Sequence, residues 1–318
     1  MLAKALRGVN RSLHDYRWFL YYLQREMTLN PRHRERIAAL IGHCLPGGNV
    51  ASPSEMSRAM AEKLKRHGFA MADGLVSSQK VDDIREYLEG QKFYDPRHPE
   101  MGGVSDPGEV PPTCYHGYYP DDVVVSAPHL MRIANDPLIL DALELVFGSK
   151  PTITTALIWW LFSSYDFADK EREQFLWNTS NMHRDIDDWL QIKLFIYLTD
   201  VAEETAPHLF LEGSHSGGPG AGKSTIPLDF VGKTCSEKVI AVHGKAGAAW
   251  LENPFGFHLG KKPETGNRLI AAISYSLLPT PFTIGRTSVR PEESKTFDPY
   301  VNRLWMAPNK DAQKNLAR

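Results

Sequence analysis

Leu190-Gln191-Ile192-Lys193-Leu194-Phe195-Ile196-Tyr197-Leu198-Thr199-Asp200-Val201 is dominated by β-branched, aromatic and leucine residues. A period of two separates Gln191, Lys193, Phe195 and Tyr197 from Ile192, Leu194, Ile196 and Leu198, the pattern of a strand with two different faces. Just upstream stands His183-Arg184-Asp185. Residues i and i+2 of an extended chain point to the same side, so His183 and Asp185 can reach one common ligand. The pattern predicts two strands as opposite walls of a small barrel, with His183 and Asp185 at the lip of one and His258 arriving from another.

Two imidazoles and one carboxylate on one face of a metal are the donor set of non-haem iron(II) oxygenases, and they leave coordination positions open for substrates. Ten residues after His258 comes Arg268, whose planar fork suits the free carboxylate of 2-oxoglutarate. Each member also has a plainer reading. In a chain with 12 histidines and 38 acidic residues, a His-x-Asp pair arises readily by chance, and His183 could simply cap a loop. His208, His215 and His243 also lie downstream of Asp185. His258 is favoured because Arg268 opens an otherwise apolar, small-residue strand, Arg268-Leu269-Ile270-Ala271-Ala272-Ile273-Ser274-Tyr275-Ser276-Leu277. A buried guanidinium there needs an anion to offset its desolvation; the alternative is a surface strand end.

Beyond the triad, the chain resembles the phytanoyl-CoA dioxygenase-like family of iron(II) and 2-oxoglutarate-dependent oxygenases. Leu64 to Ser77 followed by Val81 to Leu88 looks like that family's opening strand and helix, and Ala134 to Leu143 with Gly148 like its next helix. Pro207-His208-Leu209-Phe210-Leu211-Glu212-Gly213-Ser214-His215 is similar to its strand ending in Pro-Gly-Ser-His, with Glu212 in place of the usual proline. The likeness runs from about residue 55 to about 280. It implies a mainly β fold with flanking helices, a double-stranded β-helix or jelly roll. It also implies His183, Asp185 and His258 as iron ligands and Arg268 as the 2-oxoglutarate anchor, with O2 as the second cosubstrate. The implied reaction is hydroxylation or another oxidation of a small-molecule substrate with release of succinate and CO2. Relatives that halogenate have a small residue where Asp185 stands. Relatives often place a serine two residues after the second histidine, where this chain has Gly260. Lys193 and Phe195 are candidates for the cosubstrate's remaining contacts.

A rival motif is Gly217-Gly218-Pro219-Gly220-Ala221-Gly222-Lys223-Ser224, which satisfies the phosphate-cradling pattern G-x-x-x-x-G-K-[ST]. That pattern needs a strand directly before it and a helix beginning at the lysine. Here the apolar residues stop at Leu211, and Pro227 and Gly232 leave no room for a long helix after Lys223. The glycines are expected to form a flexible surface loop. A P-loop enzyme, and a non-catalytic jelly roll that binds or scaffolds, remain the alternatives.

The chain has 318 residues, 42% of them hydrophobic, and a formal net charge of −2. That suits one elaborated domain and gives no reason to expect nucleic acid as a partner. Three dispersed cysteines, Cys44, Cys114 and Cys235, point to a reducing, cytoplasmic setting rather than a disulfide framework. Three segments are expected: a helical extension over 1–50, the jelly-roll domain over 51–305 and a polar tail over 306–318. Residues 1–45 carry eight Lys or Arg against three Asp or Glu, with the aromatic run Tyr16 to Leu23. They suit peripheral contact with a membrane surface, or a helix whose aromatic face packs on the barrel or on a second subunit. The irregular stretch 93–126, with Tyr115-His116-Gly117-Tyr118-Tyr119, suits either a lid over a pocket or a packed surface loop.

Overall fold

The computed structural model describes residues 11–47, 50, 52–99, 102–163, 180–280 and 291–306; the polar tail beyond 306 lies outside the described residues. Its strands are β1 (Phe69–Met71), β2 (His116–Tyr118), β3 (Thr152–Leu161), β4 (Asn181–His183), β5 (Gln191–Tyr197), β6 (His208–Leu211), β7 (Thr225–Pro227), β8 (Val239–Val242), β9 (Ala249–Glu252), β10 (His258–Gly260) and β11 (Arg268–Ser276). They form two antiparallel sheets, one ordered β1-β9-β5-β11-β3-β2 and the other β7-β4-β10-β6-β8. The chain alternates between them from β3 to β6 and again from β8 to β11. The layers β3-β11-β5-β9 and β4-β10-β6-β8 are those of a double-stranded β-helix, as the resemblance implies.

Period-two alternation decides what each strand buries. On β5, Ile192, Leu194, Ile196 and the adjoining Leu198 join the core between the larger sheet and the helices. Phe195 and Tyr197 face the other way, into the barrel interior with Phe69, Phe210, Trp250 and Ile270. The outer face of the smaller sheet has its own core, in which Met182, Leu209, Leu211, Phe257 and Leu259 pack against Ile226 and Val231. Trp250 is fully buried between the sheets, and truncation of such a ring costs about 3–5 kcal/mol.

The helices on the larger sheet carry clear local signals. Ser54 accepts from the Ser57 amide and starts the helix Glu55–His67, which Gly68 ends at φ 76°, a left-handed cap that favours glycine. Asp136 caps the helix Pro137–Phe147, closed in the same way by Gly148.

The expectation of opposite walls is corrected. His183 is on β4 of the smaller sheet, directly beside His258 of β10 in the hydrogen-bonded register, whereas Lys193 and Phe195 are on β5 of the larger sheet. Residues 184–190 carry the chain from one sheet to the other. Alternation reports the face of a strand, not the sheet it joins.

Among residues 16–44, two guanidinium groups dock on the barrel. Arg25 donates to the Ile186 carbonyl at 3.0 Å and pairs with Asp187 at 2.7 Å. Arg34, buried, donates to the Asp188 carbonyl and lies over the Trp189 and Phe255 rings. Tyr16 and Phe19 are exposed. The glycine-rich loop lies at the surface, with Gly218, Ala221, Gly222, Lys223 and Ser224 exposed, and it is anchored from below. Buried Arg184 donates to the carbonyls of Lys223, Ser214 and Phe255 and so ties the loop down. A Cβ on Gly220 would come within 2.7 Å of Ile226. After Lys223 the chain enters β7, and the next helix begins only at Leu228, so the geometry of a P-loop is not formed.

Candidate metal centre

Antiparallel pairing of β4 with β10 sets His183 against His258, with their ring centroids 4.5 Å apart. The extended chain continues past β4, where the Asp185 amide donates to the Pro254 carbonyl. This holds the carboxylate over the same end of the barrel. Asp185 Oδ1 lies 3.7 Å from His183 Nε2, and Oδ2 lies 3.5 Å from His258 Nε2. One ligand atom from each of the three residues falls within a common 4.8 Å. These spacings are loose for direct hydrogen bonds but right for three donors around one cation.

His258 Nδ1 donates to the Gly256 carbonyl at 3.0 Å. That bond fixes the tautomer with Nε2 as the lone-pair atom facing the cluster, the usual support for a metal-binding imidazole. Burial, and then the neighbouring His258, push the His183 imidazole down to about 4, so at neutral pH it is a neutral donor. Burial alone would raise Asp185, but Lys193 and the two histidines hold its carboxyl well below the usual range. Burial alone would lower the His258 imidazole, but the Asp185 carboxylate raises it above its ordinary value, so the cluster presents one carboxylate, a neutral His183 and a His258 whose Nε2 proton a bound cation would displace.

A cavity of ≈ 540 Å³ opens onto these residues. Lys193 rises from β5 and meets Asp185 Oδ2 at 2.5 Å. Arg268, buried at the start of β11, lines the same cavity, near the Tyr197 hydroxyl. A Cβ on Gly260 would sit 3.2 Å from Arg268 Nη2, so glycine there gives the guanidinium space that a serine would narrow. Tyr115, Tyr118 and Trp159 form an aromatic wall, which brings the irregular stretch after residue 93 to the cavity. His116 belongs to that wall and accepts from Arg97 at 2.6 Å. Burial, then Arg97, push its imidazole down to about 3.

The other downstream histidines are committed elsewhere. His208 Nε2 lies 2.8 Å from Glu252 Oε2, His243 pairs with Glu203 at the surface, and His215 contacts the Lys65 carbonyl. Of the four, only His258 joins a His/Asp cluster that could hold a metal among the described residues. Lys193 and Phe195, the candidates for further cosubstrate contacts, both line the cavity, and Lys193 also pairs with Asp185. Sequence reasoning missed the buried His208–Glu252 pair and the presence of Arg25 in the cavity wall. The only signals for either were an acidic residue inside an apolar strand and an arginine in an aromatic helix.

No protein-family model matches the chain, and no curated protein does. Among solved structures it is similar to HygX from Streptomyces hygroscopicus with nickel and 2-oxoglutarate bound (18% identity, 69% of this chain and 86% of that one, TM-score 0.47). It is also similar to the epimerase SnoN in complex with Fe3+, alpha ketoglutarate and nogalamycin RO (16% identity, 69% and 82%, TM-score 0.46). A third is EctD from S. alaskensis with bound Fe (16% identity, 73% and 79%, TM-score 0.41).

Proposed function

We propose that this protein is a non-haem Fe(II)- and 2-oxoglutarate-dependent dioxygenase that hydroxylates, or otherwise oxidises, an unactivated C–H bond of a small-molecule substrate. The observation that carries the reading is the convergence of His183, Asp185 and His258 in the cavity that Arg268 lines. Two imidazoles and a carboxylate suit iron(II) and leave its remaining positions facing the cavity. When bound, iron and 2-oxoglutarate supply the oxidising chemistry with O2, releasing succinate and CO2.

The chain's own residues bind, orient and exclude water. His183, Asp185 and His258 hold the cation, and the Gly256 carbonyl keeps His258 in the tautomer that can ligate. Arg268 pairs with the distal carboxylate of 2-oxoglutarate, with the Tyr197 hydroxyl beside it. A buried guanidinium is a strong partner for a carboxylate because little water competes and the fork binds two oxygens. Tyr115, Tyr118 and Trp159 wall the cavity and limit access of bulk water.

Anaerobic titration with iron(II) and then 2-oxoglutarate tests the reading. The expected result is a weak visible charge-transfer band that needs both components, then succinate release once oxygen and a substrate are supplied. A protein that takes up iron but develops no band with 2-oxoglutarate is instead a metal-binding scaffold.

A further inference from the structure

Lys193 is an ionisable side chain among the inward-facing residues of β5, flanked in register by Glu252 of β9 and Ser274 of β11. Its neighbours on that face, Phe195 and Tyr197, are aromatic. An ammonium in such a place is costly unless it is paired. Its Nζ lies 2.5 Å from Asp185 Oδ2, an oxygen that His258 Nε2 approaches only to 3.5 Å, while Oδ1 lies 3.7 Å from His183 Nε2. A protonated amine has three donors and no lone pair, so it cannot ligate a metal. It can act on a cation at this cluster only through Asp185.

We infer that Lys193 is a positioning residue that occupies Asp185 Oδ2 and so confines this carboxylate to one-oxygen coordination through Oδ1. The inference rests on the iron reading above. A carboxylate with both oxygens free can swing to grip a metal with two, which would fill one of the positions that chelation of 2-oxoglutarate requires. With Oδ2 held by Lys193 that swing is blocked. The strand geometry supports this assignment. Lys193 comes from the larger sheet, whereas His183 and His258 belong to the smaller one. The carboxylate is thereby held between the two sheets.

The test uses cobalt(II) as a spectroscopic probe with no cosubstrate present. Lys193→Met removes the ammonium, and Lys193→Gln keeps a donor that can reach Oδ2; thermal melts confirm that each is folded. In Lys193→Met cobalt should still bind, but with a shifted visible d–d spectrum, because a second carboxylate oxygen replaces a solvent ligand. Affinity for 2-oxoglutarate should then fall, because the second carboxylate oxygen competes for a position that chelation needs. Lys193→Gln should restore most of the wild-type spectrum. A cobalt spectrum in Lys193→Met identical to wild type overturns the inference, and if 2-oxoglutarate affinity nonetheless falls, Lys193 touches the cosubstrate directly. Wild-type protein that takes up neither cobalt nor iron overturns the iron reading itself, and this inference with it.

Discussion

Two pairings of histidine with carboxylate lie side by side inside the barrel, with the His208 and His258 rings 5.7 Å apart, and they are built for different tasks. Glu252 and His208 are both buried and touch at 2.8 Å, with Glu252 also accepting from the Trp250 indole at 3.0 Å. That pair is in direct contact, with the Glu252 carboxylate held against an imidazole that burial lowers below its ordinary value. Asp185 instead stands 3.5 and 3.7 Å from two imidazoles and opens on a cavity. Residue type does not distinguish the pairs; the space left between the donors does. A closed pair contributes to the fold, whereas an open cluster of like composition has room for a cation.

The comparison breaks most sharply at the ligands. His183→Ala, Asp185→Ala and His258→Ala should each abolish detectable iron(II) binding and turnover while leaving the circular dichroism spectrum of a folded protein. Removal of one of three donors both weakens the site and misdirects its open positions. Retained iron binding in His258→Ala with loss in a His208 variant would reverse the roles assigned to the two pairs.

Disruption of the closed pair should act on stability. Glu252→Ala leaves a buried imidazole and indole without their acceptor and should cost about 1–3 kcal/mol for each orphaned group in denaturant unfolding. The pair also has a defined pH dependence. Burial alone would raise the Glu252 carboxyl, but the His208 imidazole and the Trp250 indole hold it below its ordinary 4.5. A depressed acid stabilises the fold above its unfolded value and loses that contribution as pH falls through the folded one. Wild-type stability should therefore drop below about pH 4.5, and Glu252→Ala should show a shallower acid limb. Parallel acid limbs for the two proteins would remove the pair from the account of acid stability.

Arg268→Ala should have the next largest effect, and on the cosubstrate alone. A charge-assisted bond in a buried site is worth about 1.5–3 kcal/mol, or roughly 10- to 150-fold in the 2-oxoglutarate concentration required. Iron binding should be almost unchanged, and Arg268→Lys should rescue in part because one point charge replaces a two-pronged fork. Unchanged dependence on 2-oxoglutarate in the alanine variant would place the anchor elsewhere.

The contrast between the two pairs also marks what the sequence could reveal. Alternation in Gln191–Tyr197 separates the helix-facing Leu194 from the barrel-facing Phe195, because side-chain direction is a local property of an extended chain. The positions His183, Asp185, His258 and Arg268 could be proposed because iron chemistry constrains residue types and strand geometry constrains spacing. Which sheet β4 joins is set by how residues 184–190 cross the barrel, and no local pattern encodes it. Likewise Lys193 on Asp185, Glu252 on His208 and Arg25 on Asp187 are contacts between distant segments. The residue types can be read one by one, but which of them meet cannot. Burial turns such a residue into part of a site, and burial comes from the assembled sheets.

The smallest effect is expected at the glycine-rich loop, although its sequence suggests the opposite. Its backbone is tied to Arg184 through the Lys223 carbonyl, a contact that alanine keeps. The Lys223 ammonium itself lies 5.9 Å from the centre of the Phe230 ring and reaches neither histidine pair. Lys223→Ala should therefore change stability by no more than about 0.5 kcal/mol and leave iron and 2-oxoglutarate binding as in wild type. Arg184→Ala removes a buried guanidinium that joins three carbonyls and should destabilise the fold by several times that amount. Calorimetry with magnesium ATP should show no binding to either wild type or Lys223→Ala, since no helix begins at the lysine to face a phosphate. Micromolar nucleotide binding that vanishes in Lys223→Ala would mean that the loop rearranges into a phosphate cradle, and would give this barrel a second ligand that neither histidine pair explains.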